Sequence, residues 1–227
     1  MKKFLASVLL SLGFLGSAHA AVNLGSQAGF NAFSSELGGA MVYRAVAPAD
    51  PLGITGFDIA VEATNASFGG DAVIIPKIKL QKGLPGKFDI SGYYTMLPTA
   101  GIAGIGADGT AYGTALSYAI WEGGVAKPAL AIRGSYTATD IPGVISANTT
   151  GIDLTISKGI VLLSPYAGVG LVNISTTDKT ATWSGYSAQE TRYFFGANLN
   201  LKIMDIAFES GTTGDNQFTT FKMGFRF

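Results

Sequence analysis

"FTTFKMGFRF" (218–227) alternates apolar and polar side chains up to the final residue. The polar parity includes Lys222 and Arg226. The apolar parity consists of Phe221, Met223, Phe225 and Phe227. Successive side chains of a β-strand point to opposite faces, so this period predicts a strand with one apolar and one polar face. Chain ends commonly fray, and a strand that continues to a terminal aromatic residue is therefore unusual.

The same two-residue period recurs upstream of the C-terminus. It covers GFDIAVEAT (56–64), KFDISGYYTM (87–96), LAIRGSY (130–136), GIDLTIS (151–157) and RYFFGANLNLK (192–202). Stretches rich in turn-forming residues separate the strands, which favours an antiparallel meander. The strand candidates centre on Val42, Ile59, Ile78, Ile90, Leu116, Ile132, Leu154, Val169, Leu199, Phe208 and Phe225.

Two all-β architectures accept such strands, and they differ in where the apolar face points. A soluble sandwich or lipocalin-like barrel turns that face inward, whereas a transmembrane barrel turns it towards lipid. Aromatic residues near the strand ends favour the second, because amphipathic rings suit a membrane interface. They are Tyr43, Tyr94, Tyr118, Trp121, Tyr136 and Tyr193. We therefore predict an antiparallel up-and-down transmembrane β-barrel.

The composition excludes several classes of function. The chain has 227 residues, of which 48% are hydrophobic and 13% are charged, whereas soluble domains average about a quarter charged residues. The absence of cysteine rules out disulfide scaffolds and thiolate metal sites. No clustered basic face of the kind that binds nucleic acid is visible, so we expect no nucleic-acid partner.

Residues 1–20 have the pattern of a signal peptide. Lys2 and Lys3 precede an apolar run from Phe4 to Gly16, and Ala18-His19-Ala20 offers a cleavage site before Ala21. Cleavage removes two of 15 basic residues and leaves 13 against 15 acidic residues, a net charge of −2. It also removes His19, the only histidine of the chain.

The strand count has a parity problem. Eleven candidates conflict with the even number that such barrels usually have, so we expect ten to twelve strands and favour twelve. Phe30, Phe33 and Leu37 recur at helical spacing, which makes residues 21–38 either a short helix at the periplasmic mouth or in the lumen, or a poorly patterned first strand. The barrel itself is assigned to residues 39–227.

The C-terminal strand resembles the terminal strand of Gram-negative outer-membrane β-barrel proteins, which end in Phe with apolar residues at alternate positions. The resemblance implies an outer-membrane location, with membrane lipid and the barrel-assembly machinery as partners. It also implies that Phe221, Met223, Phe225 and Phe227 form the assembly signal. ELGGAMVYR (36–44), PADPLGITGFD (48–58), QKGLPGKF (81–88) and PYAGVG (165–170) resemble blocks of a group of proteobacterial outer-membrane barrels, and this likeness implies no particular activity.

With a periplasmic C-terminus, alternate connections become extracellular loops. The predicted loops are 65–72, 98–110, 138–149, 174–190 and 211–217, of which 174–190 is the longest. Long loops on one side of the membrane are typical of this class of barrel.

The mature chain lacks the histidine that most catalytic triads and many metal sites require. We therefore expect neither an enzyme nor a bound cofactor or metal. The leading hypothesis is a narrow or gated pore for small, even apolar, solutes, with polar side chains lining the lumen. The predicted lumen-lining residues are Glu62, Asp89, Tyr93, Arg133, Asp153 and Arg192.

Three alternatives stay open at this point. In the first, the lumenal charges only form ion pairs that fill a small barrel. In the second, the protein is a non-conducting structural or adhesive barrel that binds partners through its loops. A soluble periplasmic lipocalin-like binder, the third, would also accept the strand pattern. A lumen blocked by residues 23–38 favours the non-conducting barrel.

Overall fold

The chain forms a closed antiparallel β-barrel of ten strands in the described residues. The structure, a computed structural model, describes residues 24–68, 71–97, 99, 107–124 and 127–227. The predicted signal peptide lies outside these residues. In the described residues, the helix α1 (Gln27–Met41) precedes the strands. The strands are β1 (Phe57–Phe68), β2 (Asp71–Leu84), β3 (Phe88–Leu97), β4 (Gly109–Trp121), β5 (Ala129–Ile141), β6 (Ile145–Ser157), β7 (Leu163–Asp178), β8 (Tyr186–Asn200), β9 (Met204–Thr213) and β10 (Asn216–Arg226).

Each strand pairs with its neighbour in sequence, and β1 pairs with β10 to close the barrel. Phe57 and Phe227 exchange backbone hydrogen bonds of 2.9 and 2.8 Å at the seam. The all-β class and the up-and-down barrel are confirmed. The preference for twelve strands was wrong, because neither residues 24–38 nor the stretch around Val42 forms a strand.

The helix starts where the sequence supplies an N-cap. The Ser26 hydroxyl accepts a hydrogen bond of 3.1 Å from the backbone N–H of Gly29. Phe30, Phe33 and Leu37 share the buried face, as their helical spacing predicted. The helix continues past residue 38 and ends at Met41. The residues after Leu37 are buried inside the barrel and do not pair with a neighbouring strand. The barrel wall therefore starts at Phe57, and not at residue 39.

The barrel has two rims with different connections. The C-terminal rim carries Phe57, Phe227 and the turns after β2, β4, β6 and β8, and the far rim carries the other connections. Most loops are shorter than predicted, because the polar residues at their edges belong to the strands. Only 179–185 separates β7 from β8, so 174–190 is not the longest loop; residues 98–108 form a longer connection, part of which lies outside the described residues.

The outer face is apolar near the C-terminal rim and polar near the far rim. Phe195, Phe208 and Phe221 are exposed within the apolar part. Aromatic pairs lie towards its two borders: Tyr94 is opposite Tyr112, and Phe88 is opposite Tyr118. Exposed polar residues follow towards the far rim, namely Asn65, Ser67, Asn148, Thr150, Asn173, Ser175, Gln189, Thr191 and Gln217. Within the described ranges, no helix combines the length and hydrophobicity needed to cross a membrane.

Candidate functional site

The candidate site is the interior of the barrel, which residues 24–52 occupy. We call these residues the lumenal segment; they comprise α1 and an irregular stretch that leads to β1. The segment enters beside the far rim, where the Gln27 side chain bonds the backbone of Ser184. It reaches the C-terminal rim at Leu52, whose N–H bonds the Asp89 carboxylate at 3.1 Å. The segment therefore runs through the lumen from one rim to the other.

The far half of the lumen is filled by apolar packing around α1. Phe30, Phe33 and Leu37 belong to one buried cluster with Ile141 and Ile145 of the wall. The helix also approaches the wall closely at Gly38, where an added Cβ would meet the Ile174 side chain at 2.3 Å. A hydrogen bond of 2.9 Å joins the hydroxyls of Ser34 and Thr176 in this otherwise apolar contact. Burial of apolar surface is therefore the main force that holds the helix.

The other half of the lumen is lined by buried charges of both signs. Among the residues whose burial is described, the wall and the segment together bury six cationic and six anionic side chains. The cations are Arg44, Lys77, Lys79, Arg133, Arg192 and Lys222. The anions are Asp58, Glu62, Asp89, Asp153, Asp205 and Glu209. A buried charge is costly unless it is paired, so this balance is a condition for the fold.

Arg192 is the centre of the largest ion-pair group. Its guanidinium lies 3.0 Å from Asp153 and 2.9 Å from Glu209, and its side chain is fully buried. The Tyr166 hydroxyl donates to Glu209 at 3.1 Å, and Arg133 lies 4.0 Å from Asp153. The group joins β5, β6, β7, β8 and β9, so it stabilises the wall over half its circumference.

Two further ion-pair groups join β1, β2, β9 and β10. Lys79 lies 2.9 Å from Glu62 across β2 and β1. Lys222 lies 2.7 Å from Asp58 and 2.9 Å from Asp205, which links β10 to both of its neighbours. In the part of the chain that the structure describes, every buried ion pair joins two wall strands. Arg44, the buried cation of the lumenal segment, is in none of them.

Wall side chains instead hold the lumenal segment through its backbone. Arg192 donates to the Tyr43 carbonyl at 2.9 Å. Lys79 donates to the carbonyls of Arg44, at 2.9 Å, and of Ala45, and the Tyr93 hydroxyl donates to that of Met41 at 2.9 Å. These bonds depend on the path of the segment more than on its side chains.

Arg44 turns back to the end of its own helix. Its guanidinium donates to the carbonyls of Ala40 and Gly39 at 2.6 and 2.7 Å, which satisfies acceptors left free at a helix C-terminus. It also lies 4.0 Å from the centre of the Phe218 ring. A cation at this end of a helix is favourable, so Arg44 stabilises the folded form of the segment itself.

The inner face of β4 carries only small residues. The inward positions are Gly109, Ala111, Gly113, Ala115, Ser117 and Ala119. Ala115 packs with Tyr43, Ala45 and Ala47 of the segment. An added Cβ at Gly113 would meet the Tyr93 ring of β3 at 2.4 Å, so the neighbouring strand leaves no room for a larger residue at this position.

All six predicted lumen-lining residues face the interior and are buried. Arg192, Asp153 and Arg133 come together in one group, and Glu62 pairs with Lys79. Tyr93 and Asp89 hold the lumenal segment instead of another charge of the wall. The structure describes where these six lie, and their role in solute passage remains a prediction.

The contributions of Tyr43, Arg44 and Lys77 were not predicted from the sequence. Tyr43 was expected on the membrane-facing side, but it is buried in the lumen, where its hydroxyl donates to Ser91 at 2.6 Å. The signal for Arg44 was its isolation as a single charge within an apolar run, AMVYRAVA (40–47).

The four predicted assembly residues lie on the outer face of β10 and at its C-terminal end. Phe221, Met223, Phe225 and Phe227 are all exposed, which agrees with the parity that the sequence analysis assigned to them. Their recognition by assembly machinery stays a prediction. No cluster of three or more side chains suited to hold a metal ion occurs in the described part of the chain.

Solved outer-membrane β-barrels are similar to this chain. KdgM porin matches at a TM-score of 0.39 and 7% identity, covering 74% of this chain and 98% of the porin. A loop-deletion form of OmpT, an outer membrane protein of Vibrio cholerae, matches at 0.35 and 12% identity, covering 86% and 72%. Ail of Yersinia pestis, solved with sucrose octasulfate, matches at 0.30 and 13%, covering 76% and 97%. No protein-family model and no curated protein matches the chain.

Proposed function

We propose that this chain is an outer-membrane β-barrel with a polar passage for small solutes, and that its own lumenal segment closes this passage. The protein is exported by the signal peptide of residues 1–20. The assembly machinery recognises the C-terminal strand, and the far rim faces the outside of the cell. The proposal assigns no catalytic step to the protein.

The outer face supports the membrane location. A barrel in water would not expose a continuous belt of large apolar side chains. Here Ile59, Leu80, Ile132, Leu154 and Phe225 are all at least two-fifths exposed. The aromatic pairs towards the borders of the belt suit the two lipid headgroup layers.

The pairing of the buried charges is the observation that carries the passage. Each of these ion pairs joins wall strands, so withdrawal of the lumenal segment would break none of those described. The wall would then present paired charges on several strands opposite the small inner face of β4. Such a lining can be solvated, and the barrel can therefore remain folded around water.

The lumenal segment would have to move for solute to pass. It crosses the lumen from rim to rim, and it is held by apolar packing at α1 and by a few hydrogen bonds to its backbone. Neither type of contact is covalent, and a hydrogen bond to a charged group contributes only about 1.5–3 kcal/mol. We therefore expect a channel that is closed most of the time and opens when the segment withdraws.

Conductance of the refolded mature protein in a planar bilayer tests this function. Leu37→Ala removes a side chain that is 1% exposed in the helix cluster, and such a change costs about 2–5 kcal/mol. We expect rare openings for the unmodified protein and frequent openings of the same step size for Leu37→Ala. Leu116→Ala, which changes an outward-facing residue of β4, is the matched control and should behave as the unmodified protein.

A specific observation also favours a second candidate, a structural barrel that never conducts. The cluster around α1 buries many apolar side chains, as in a permanent core. A folded Leu37→Ala protein that inserts into the bilayer and stays silent would support this candidate and contradict the passage. Failure of the folded protein to enter the bilayer would contradict the membrane location.

A further inference from the structure

Lys77 is a buried cation without a hydrogen-bond partner among the described residues. Its side chain lies on the inner face of β2 and is about 1% exposed. The ammonium lies 4.8 Å from the centre of the Tyr93 ring, and the Tyr93 hydroxyl holds the Met41 carbonyl. Lys77 is therefore beside the point where the lumenal segment leaves α1.

Two other wall cations point to the same stretch of the segment. Arg192 donates to the Tyr43 carbonyl, and Lys79 donates to the next carbonyl, that of Arg44. Adjacent peptide carbonyls are thus bound from β8 and from β2. The carbonyl oxygens of residues 43–45 occupy the positions where oxygen atoms of another molecule would bind the same donors.

The charges around these donors leave one cation in excess. Glu62 pairs with Lys79, and Asp153 and Glu209 pair with Arg192, with Arg133 also beside Asp153. These groups amount to three cations and three anions, and Lys77 adds a fourth cation. If the segment withdraws, Arg44 leaves with it. Arg192 then loses one carbonyl acceptor and Lys79 loses two, and Lys77 still has none.

We propose that Lys77, Lys79 and Arg192 form a binding site for oxyanions inside the passage, so that the solutes carried are those bearing carboxylate, phosphate or sulfate groups. This inference rests on the proposed function and names the class of its solute. An oxyanion supplies several acceptor oxygens to the three donors, and charge-assisted hydrogen bonds of this kind are the strong ones. The small residues of β4 leave space in the lumen for the rest of the solute.

Selectivity of the open channel tests the site, with chloride and sulfate as the probes. In the Leu37→Ala background, we expect a reversal potential that lies further towards anion selectivity than in the same protein with Lys77→Met, and a chloride current that sulfate reduces. Adding Lys77→Met removes the excess charge at similar side-chain length and should lower both effects several-fold, whereas Lys77→Arg should retain them. Lys82→Met, at an outer residue of the same strand that bonds Gly56, is the matched control.

A second measurement reads the site without current. Ser91→Cys introduces the only thiol of the chain at a position whose hydroxyl contacts Tyr43, so a maleimide should label it faster when the segment withdraws. An oxyanion that binds the withdrawn state favours that state by mass action. Sulfate should therefore accelerate labelling several-fold when Lys77 is present, and it should not do so after Lys77→Met.

The outcomes separate the two proposals. A Leu37→Ala channel that conducts but has the same selectivity with and without Lys77→Met overturns the oxyanion site and leaves the passage intact. A silent Leu37→Ala protein overturns the passage, and the labelling experiment then decides the site alone. Sulfate that accelerates labelling equally before and after the Lys77→Met change would also overturn the site.

Discussion

The two halves of the lumen differ in how they hold the same segment of chain. In the far half, α1 packs Phe30, Phe33 and Leu37 against apolar residues of the wall. In the half near the C-terminal rim, the segment has no regular structure, and Arg192 and Lys79 hold its carbonyl groups. The outer face has the reverse distribution of polarity: it is polar near the far rim and apolar near the C-terminal rim.

This contrast shows that closing the lumen and building the wall depend on separate interactions. Few of the buried charges line the far half, so its filling depends on the helix. The other half has ion pairs that join wall strands directly, so its stability depends little on the segment. Variants in the two halves should therefore affect different properties of the protein.

The largest effect is expected for Arg192→Ala. This change leaves Asp153 and Glu209 buried without their main partner, and breaking a buried ion pair from one side costs about 3–5 kcal/mol. We expect a decrease of that size in the free energy of unfolding, measured by urea titration in lipid vesicles. Arg133→Ala should cost much less, because Arg133 lies 4.0 Å from Asp153. Equal losses for the two variants would contradict the central position of Arg192.

A smaller effect of a different kind is expected for Gly38→Ala. The added Cβ would meet Ile174 at 2.3 Å, and overpacking of this type costs about 1–3 kcal/mol. The gain in helix propensity offsets at most about 1 kcal/mol of this. We expect more frequent openings in the bilayer with no change in the urea stability of the wall.

The double variant Gly38→Ala with Ile174→Ala tests the origin of that effect. Removing the Ile174 side chain makes room for the new methyl group at position 38. We therefore expect the double variant to open less often than the sum of the two single effects would give. Additive effects would mean that Gly38 acts through helix flexibility and not through its contact with β7.

The smallest effect is expected for Ser26→Ala at the start of α1. Loss of this N-cap, which bonds the Gly29 N–H at 3.1 Å, costs about 1 kcal/mol. The helix end should fray and raise the rate of maleimide labelling at Ser91→Cys slightly. Ser26→Asn keeps the capping group and should restore the original rate. A change in the urea stability of the wall on either substitution would contradict a role confined to the helix.

Much of the wall followed from the two-residue period. The period placed Glu62, Asp89, Arg133, Asp153 and Arg192 on the inner face because alternation fixes which side a strand residue takes. It also placed Tyr118 and Trp121 on the outer face near the end of β4. Tyr136 and Tyr193 are on the outer face too, but they lie in the middle of β5 and β8 and not near strand ends as expected. These are properties of single strands, and a sequence shows them directly.

The contents of the lumen could be predicted only in part. The run AMVYRAVA (40–47) suggested a strand at Val42, because a short alternating run fits a strand as well as a buried irregular stretch. The helical spacing of Phe30 and Phe33 was correctly interpreted. The sequence does not show which wall cation binds which carbonyl. These contacts form only when β1 closes on β10 and brings together residues that are far apart in sequence.

The measurement that tests closure by the segment most directly uses a disulfide between α1 and β7. Ser34 and Thr176 are buried with their hydroxyl oxygens 2.9 Å apart, and the chain has no other cysteine, so Ser34→Cys with Thr176→Cys can form one defined bond. We would record single-channel conductance of this pair in the Leu37→Ala background, first oxidised and then after reduction. We predict no channel openings in the oxidised protein and openings after reduction. Equal conductance in both states would show that solute passes without movement of the segment.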